Sequence, residues 1–420
     1  MNTNSKGYLE LLKKRPLNVQ ARFGNEPLGL VSGRDIVAAG QEIDSIVLAS
    51  NARHPLVIKA VLQAAKNKNA AVLIELAKSE ATYCGATYDN IPDYALKYSA
   101  EMGHGAVFGL HVDHYAVKSQ EDVMKSVAHL SRILERGFTS VAIDASHMRD
   151  YDNFVATRSI ADWLPSGLGL EVEVGEIKGA GELSTVEEAL YYIGGLNAWG
   201  IFPDYLAISN GSMHGTYDPT AGQMEGIDLG RTKEIADAVE PYGVSIAQHG
   251  ISGTPLDKVS TFRKYGIRKG NVATLFQNVY FGIEMDTDTG NAITEGGTYR
   301  KDPNRGVSME LWNEIVAAAD DKGMNRKSGD YKKLNMSFCD RILAEPQPVV
   351  DRIVDEMTWW AERFIAAFGA EGSAEAVMEV ISRRPDYNAS PERKVLGVRA
   401  DFTEDKAPGT GGNDGKNYDD

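Results

Sequence analysis

The chain has 420 residues, 43% of them hydrophobic and 8% aromatic, enough to bury a large core and more than most single small domains use. Its 44 basic and 59 acidic residues give a net charge of −15, with no Lys and Arg cluster broad enough to follow a phosphate backbone, which argues against nucleic acid as a partner. Only two cysteines, Cys84 and Cys339, are present, so neither a disulfide framework nor a thiolate zinc site can be built; the N-terminus lacks the apolar core of a signal peptide and no apolar run nears the roughly 18 residues that span a bilayer, so a cytoplasmic protein without a membrane partner is expected.

Residues 1–40 form an N-terminal extension that reads as a leading helix or a cover for the floor of the fold. Eight β-rich runs follow, at 45–51, 70–76, 106–113, 140–146, 169–175, 205–210, 244–249 and 267–274, with helical periodicity between most of them. Pro55 opens a helix carrying Val57, Ile58, Val61 and Leu62. Ser119, with Asp122 three residues on, starts another, whose Val123, Val127, Leu130 and Leu134 share one face and which Gly137 stops. Ser184 with Glu187 begins a third, and Pro255 a fourth carrying Leu256, Val259 and Phe262. Strands alternating with helices imply a parallel sheet, and eight such units imply an α/β fold closed into a (β/α)8 TIM barrel over 41–280. Residues 281–403 read as a C-terminal helical extension packing on the barrel or on a neighbouring subunit. Its clearest helix runs from Pro348 to about Phe368, with the stripe Val350, Ile353, Met357, Trp360 and Phe364. From 404 to 420, Gly, Asp and Asn crowd out apolar residues, which predicts a disordered tail.

Barrel enzymes carry their chemistry at the C-terminal ends of the strands. Residues suited to chemistry collect there: Asn51 and His54 after the first run, Glu75 in the second, Asp113 and His114 in the third, Asp144 and His147 after the fourth, Glu171 and Glu173 in the fifth, His214 beyond the sixth, His249 at the seventh, Asn271 and Thr274 at the eighth. Five of the eight histidines fall at or just past a strand end, and three imidazoles from different strands, His114, His214 and His249, suit a borderline divalent ion with an open position, zinc first. Asp113 and His114 are neighbours and would face opposite sides of a regular strand, so both serve one site only if the strand gives way there. The turns Gly179-Ala180-Gly181 and Gly250-Ile251-Ser252-Gly253 offer backbone N–H groups; the second leads into the Pro255 helix and suits a phosphate, although tight turns alone would explain the glycines equally well.

Five segments, LHVDH at 110–114, LEVEVGEIKGAGE at 170–182, ISNGSMHGTY at 208–217, QHGISGTP at 248–255 and GNVAT at 270–274, together resemble the class II, metal-dependent fructose-bisphosphate aldolase family, including the related tagatose-bisphosphate aldolases. The resemblance implies a zinc ion, or another divalent metal, on His114, His214 and His249, with Glu173 at an alternative metal position and Asp144 beside it, and a monovalent cation as a further candidate cofactor. It implies that Asp113 exchanges the proton of the hydroxyl at the cleaved bond, and that Glu182, with Glu176 as the fallback, transfers the proton at C3. Gly215, Gly250, Ser252, Asn271 and Thr274 would hold the phosphate and hydroxyls of the dihydroxyacetone phosphate half. The implied activity is reversible aldol cleavage of a ketose bisphosphate such as fructose 1,6-bisphosphate, by a homodimer or homotetramer. Two other readings stay open here: an epimerase or isomerase of a phosphorylated ketose working through the same metal-stabilised enediolate, and a non-catalytic subunit of a tagatose-bisphosphate aldolase. Three departures bear on the sugar: Ala77 stands where the family usually has serine, Ala273 where it has a carboxylate, and Ile251 where its phosphate turn has a second glycine.

Overall fold

Eight parallel strands close on themselves in the computed structural model, which describes residues 3–175, 183–212, 226–295, 298–324 and 333–385. They are β1 (Val47–Asn51), β2 (Ala71–Ala77), β3 (Val107–Ala116), β4 (Ser140–Asp144), β5 (Gly169–Val174), β6 (Tyr205–Ile208), β7 (Ser245–Gln248) and β8 (Ile267–Val272). Each pairs with the next, and β8 returns to β1 with Leu48 opposite Gly270, so the α/β barrel expected from the alternating pattern is present. The strands are buried along nearly their whole length, because helices cover the outside and side chains fill the inside.

The alternation of side chains along each strand sorts the barrel interior into layers. On β3, Phe108, Leu110 and Val112 point outward into the helical shell, while Val107, Gly109, His111 and Asp113 form the inner column. The lower interior is apolar: Val47 and Ala49 of β1, Ala71 and Leu73 of β2, Val107, and Tyr205 and Ala207 of β6 form one cluster. Gly109 is required at this level, since a Cβ there would come within 2.8 Å of Leu73 and 3.3 Å of Ile36.

The floor is sealed by the N-terminal residues. Ser32 caps the helix Gly33–Glu42 by accepting from Arg34 N–H, and Ile36, Val37 and Ala39 of that helix join the inner cluster. Tyr8 and Leu11 of Lys6–Lys13, and Ala374, Val377 and Ile381 of Ser373–Arg383, pack beneath it. A two-residue strand, Gly29–Leu30, pairs with the first residues of β3. On the barrel wall, the helix Gln347–Ala367 lies against Pro55–Asn67, with Thr358 Oγ1 donating to the Ala60 carbonyl at 3.4 Å. Its stripe Val350, Ile353, Met357, Trp360 and Phe364 is buried, each side chain contributing about 1.5–3 kcal/mol of apolar burial, whereas Trp359 is 46% exposed.

Local starts differ from the sequence expectation where a neighbour competes for the capping residue. The helix expected at Ser119 begins at Asp122, and Ser119 instead closes a turn through its carbonyl, accepting from Asp122 N–H. The capping box lies one residue on from Ser184, between Thr185 and Glu188. Ser184 itself donates to the Val174 carbonyl and accepts from Ser209 N–H, both at 2.9 Å, tying β5 to β6. The helix after Pro255 is one turn, Leu256–Val259. The tail expected from 404 lies outside the described residues.

Candidate active site

At the C-terminal mouth of the barrel the inner columns become polar and enclose a cavity of about 690 Å³. Asp113 and His114 both serve it, although they are consecutive. Rather than ending, β3 carries a bulge: its register moves from Val112 opposite Val141 to Tyr115 opposite Ile143, three residues against two. His114 adopts a φ of +37°, a left-handed conformation that costs a side chain with a Cβ about 1–3 kcal/mol and that the surrounding strands must enforce.

Asp113 is pinned from both sides. Asn51 Nδ2 donates to its Oδ2 at 2.9 Å and Asn271 Nδ2 to its Oδ1 at 3.1 Å. Burial would raise its pKa, but His114, Lys269 and His249 outweigh burial and hold it well below the carboxylate range. His114 Nδ1 lies 2.9 Å from Glu173 Oε2 and 3.7 Å from Asp144 Oδ2, and its ring centroid is 4.1 Å from that of His249. Burial opposes protonation of His114, yet Glu173 and Asp113, followed by Asp144, raise it well above the usual imidazole value. Burial and the charge of Asp144 push Glu173 up to about 7. Asp144 is held down at about 2 against burial, by the nearby His114 ring and by Ser146, whose hydroxyl donates to it at 2.7 Å.

Among the described residues three overlapping donor sets result, of which one, Glu75, His111 and Asp113, lies deeper and two lie at the mouth. Asp113, His114 and His249 bring one ligand atom each within 4.8 Å of one another, and so do His114, Asp144 and Glu173. This mixture of imidazole nitrogen and carboxylate oxygen fits a divalent transition ion. His249 Nε2 donates to Glu171 Oε1 at 3.1 Å, and the carboxylate fixes the ring as outer partners of metal ligands do.

Beneath the mouth lies an ionic layer. Lys269 Nζ donates to Glu171 Oε2 at 2.8 Å and lies 3.1 Å from Glu75 Oε2 and 3.9 Å from Asp113 Oδ1. His111 is part of the same layer, with Nε2 3.4 Å from Glu171 Oε2 and Nδ1 2.8 Å from Ser140 Oγ. Burial, reinforced by Asp113, keeps Glu75 protonated well above its ordinary range. Burial acts against ionising Glu171 too, but Lys269 and the two histidines hold it well below. The buried ammonium of Lys269 thus sits among three acidic side chains, Glu171, Glu75 and Asp113, and offsets the cost of burying them.

Of the residues picked out from sequence, Asp113, His114, Asp144, Glu173, His249, Gly250, Ser252, Asn271 and Thr274 line this one cavity. His214, Gly215, Glu182 and Glu176 lie outside the described residues. His54 does not join the site: it is buried and caps the Pro55–Asn67 helix, Nδ1 accepting from Leu56 N–H at 3.2 Å. His147 is exposed at the rim. Sequence reasoning passed over Arg53, Glu80 and Lys269. For Lys269 a signal existed, since a lysine two residues before Asn271 on a strand must share its inward face. Nothing in the pattern marked Arg53 and Glu80, whose pairing depends on a turn.

Comparison with known proteins adds to this geometry. The family model for class II fructose-bisphosphate aldolase matches residues 31–373. A fructose-bisphosphate aldolase of Streptococcus pneumoniae (strain ATCC BAA-334 / TIGR4) is 29% identical over 255 residues, 59% of this chain and 80% of that protein. One from Thermus caldophilus is 28% identical over 272 residues, 62% of this chain and 83% of the other. The crystal structure of fructose-bisphosphate aldolase from Campylobacter jejuni superposes with a TM-score of 0.53 at 17% identity, covering 82% of this chain and 96% of that one. An aldolase from Escherichia coli K12 gives 0.52 at 17% identity, with 82% and 99% covered. At such identities the superpositions speak for the fold alone.

Proposed function

Since the chain belongs to the class II fructose-bisphosphate aldolase family, whose members are metal-dependent lyases, we propose that it reversibly cleaves the C3–C4 bond of a ketose bisphosphate such as fructose 1,6-bisphosphate, releasing dihydroxyacetone phosphate and an aldehyde. The observation that carries this reading is the meeting of Asp113, His114 and His249 at the floor of a cavity large enough for a phosphorylated sugar.

In this reading His114 and His249, together with His214, would hold a divalent ion, zinc in the first instance, with Glu173 and Asp144 as further candidate ligands, and the ion would supply Lewis-acid polarisation of the ketose carbonyl. Asp113 takes the proton of the C4 hydroxyl as the C3–C4 bond breaks: the O–H pair becomes the aldehyde C=O and the C–C pair moves onto the three-carbon fragment. The depressed pKa keeps it ionised, and the two asparagine amides, one on each oxygen, fix the plane of the carboxylate. Glu182 returns a proton to C3. Gly250, Ser252, Asn271 and Thr274, with Gly215, bind the phosphate and hydroxyls of the three-carbon half. The chain's use of only two cysteines, both buried, supports a reducing cytoplasmic setting, and the half-exposed Trp359 supports a homodimer or homotetramer through the outer helices. Among the described residues no helix is long and apolar enough to cross a membrane.

The test is triose-phosphate release from fructose and tagatose 1,6-bisphosphates by the wild type and Asp113→Asn. The proposal expects kcat to fall by about 10²–10⁴-fold in the variant. Unchanged cleavage would remove Asp113 from the mechanism, and bound metal with no cleavage of either sugar would favour an epimerase of a phosphorylated ketose.

A further inference from the structure

Arg53 stands just past the end of β1, where the chain turns outward toward the Pro55–Asn67 helix. It is only 8% exposed, yet its guanidinium lines the cavity beside Thr274. Nε donates to Glu80 Oε1 at 2.6 Å. Nη1 lies 3.4 Å from Thr274 Oγ1 and 3.3 Å from Gln277 Oε1, at the long end of hydrogen bonding, and no hydrogen bond to Nη2 is found among the described residues. A guanidinium has five donors in a planar fork, so Glu80 satisfies one edge and leaves the other available.

Glu80 fixes this fork more than it cancels it. Its second oxygen accepts from Asn51 Nδ2 at 2.9 Å and from Ala77 N–H at 3.1 Å, so the orientation of Arg53 is set by the same asparagine that holds Asp113. A buried, pre-oriented fork loses little side-chain entropy when it receives a planar or tetrahedral oxyanion. Of the two lysines that line the cavity among the described residues, Lys78 and Lys118, the former is already engaged: Lys78 Nζ donates to the Ala116 carbonyl at 2.6 Å and lies 4.2 Å from the centre of the Tyr115 ring. Thr274, which lines the cavity, also begins the helix Thr274–Phe281.

We propose that Arg53 is a specificity-determining residue that, with the Thr274 hydroxyl, receives the phosphate of the three-carbon half of the ketose, so that the site prefers a phosphorylated donor. This rests on the aldolase reading above. It accounts for how the corner binds an anion although Ala77 and Ile251 offer it no side-chain donor.

The test uses the metal-loaded enzyme in the condensation direction, comparing dihydroxyacetone phosphate with dihydroxyacetone as donor, together with calorimetric binding of dihydroxyacetone phosphate. In Arg53→Met, KM and Kd for the phosphorylated donor are expected to rise about 10- to 100-fold, the range for losing hydrogen bonds to a charged group, well beyond any change with dihydroxyacetone, and Arg53→Lys recovers part of the loss. Because Arg53→Met strands the Glu80 carboxylate, the double variant Arg53→Met/Glu80→Gln is measured beside it and is expected to show the same selective loss. Equal losses for both donors would reduce Arg53 to a support for Glu80, and unchanged affinity would overturn the proposal outright. If the wild type binds dihydroxyacetone phosphate but cleaves no ketose, the aldolase reading fails while the variant's Kd still decides the role of Arg53. A wild type that binds no dihydroxyacetone phosphate overturns the phosphate assignment.

Discussion

Asn51 serves two carboxylates at once, Asp113 and Glu80, from one amide group. Removing it should misplace the proton acceptor without touching the histidines, so Asn51→Ala is expected to lower kcat about 10- to 100-fold while bound metal, read by elemental analysis, stays at wild-type occupancy. His54 illustrates the opposite case, a strand-end histidine with a purely structural role. Burial lowers its pKa to about 4 from an unfolded value near 6.5. Between those values the unfolded chain binds a proton that the folded chain refuses, so the stability present above pH 6.5 is lost as pH falls toward 4, by about 3 kcal/mol in total. Urea titrations at pH 7 and pH 4.5 should show this loss, and His54→Asn, which keeps a helix cap, should flatten it; an equal slope in both proteins would refute the assignment. Sequence position could not separate His54 from His249. Both follow strands, and only the direction of the chain after the strand decides that one ring turns back to cap a helix while the other enters the mouth.

Among the elements, the strands and their inward residues were legible because period-two alternation leaves few choices: once Asp113 faces in, so do His111 and Gly109. The bulge in β3 was not legible. It takes an extra residue relative to β4, a property of the pairing of two strands rather than of either sequence, and it is what brings His114 beside Asp113. The C-terminal helix was readable from its stripe, whereas its partner, the Pro55–Asn67 helix nearly three hundred residues earlier, was not. Two adjacent tryptophans on it provide a test. Trp360→Ala is expected to destabilise the protein by about 3–5 kcal/mol in chemical denaturation, because Trp360 is buried, and Trp359→Ala by about 1 kcal/mol or less.

For the whole molecule, the barrel separates stability from chemistry by height: an apolar floor plugged by Gly33–Glu42, an ionic layer around Lys269, and the reactive mouth above it. Lys269 connects the upper two, since the same ammonium neutralises Glu171, which orients His249, and helps hold Asp113 ionised. Lys269→Met should therefore cost about 3–5 kcal/mol of stability by leaving Glu171 without its cation, and should weaken metal retention as well; a variant as stable as the wild type would show the layer to be dispensable. The barrel could be read from its alternation of strands and helices, and the two strands that carry Asp113, His114 and His249 from short motifs on them. The N-terminal plug was legible only as one of two roles for residues 1–40, a leading helix or a cover for the floor, because a helix that closes a barrel looks like any amphipathic helix until the barrel is built.

The account stands on a divalent ion at His114 and His249 being required for carbon–carbon cleavage. The most direct measurement is triose-phosphate release from fructose 1,6-bisphosphate by chelator-stripped protein, followed by titration with zinc. The expected result is near-complete loss of cleavage, its return with about one zinc per chain, and no return in His249→Ala. Full cleavage by the stripped protein, or recovery in His249→Ala equal to that of the wild type, would contradict it.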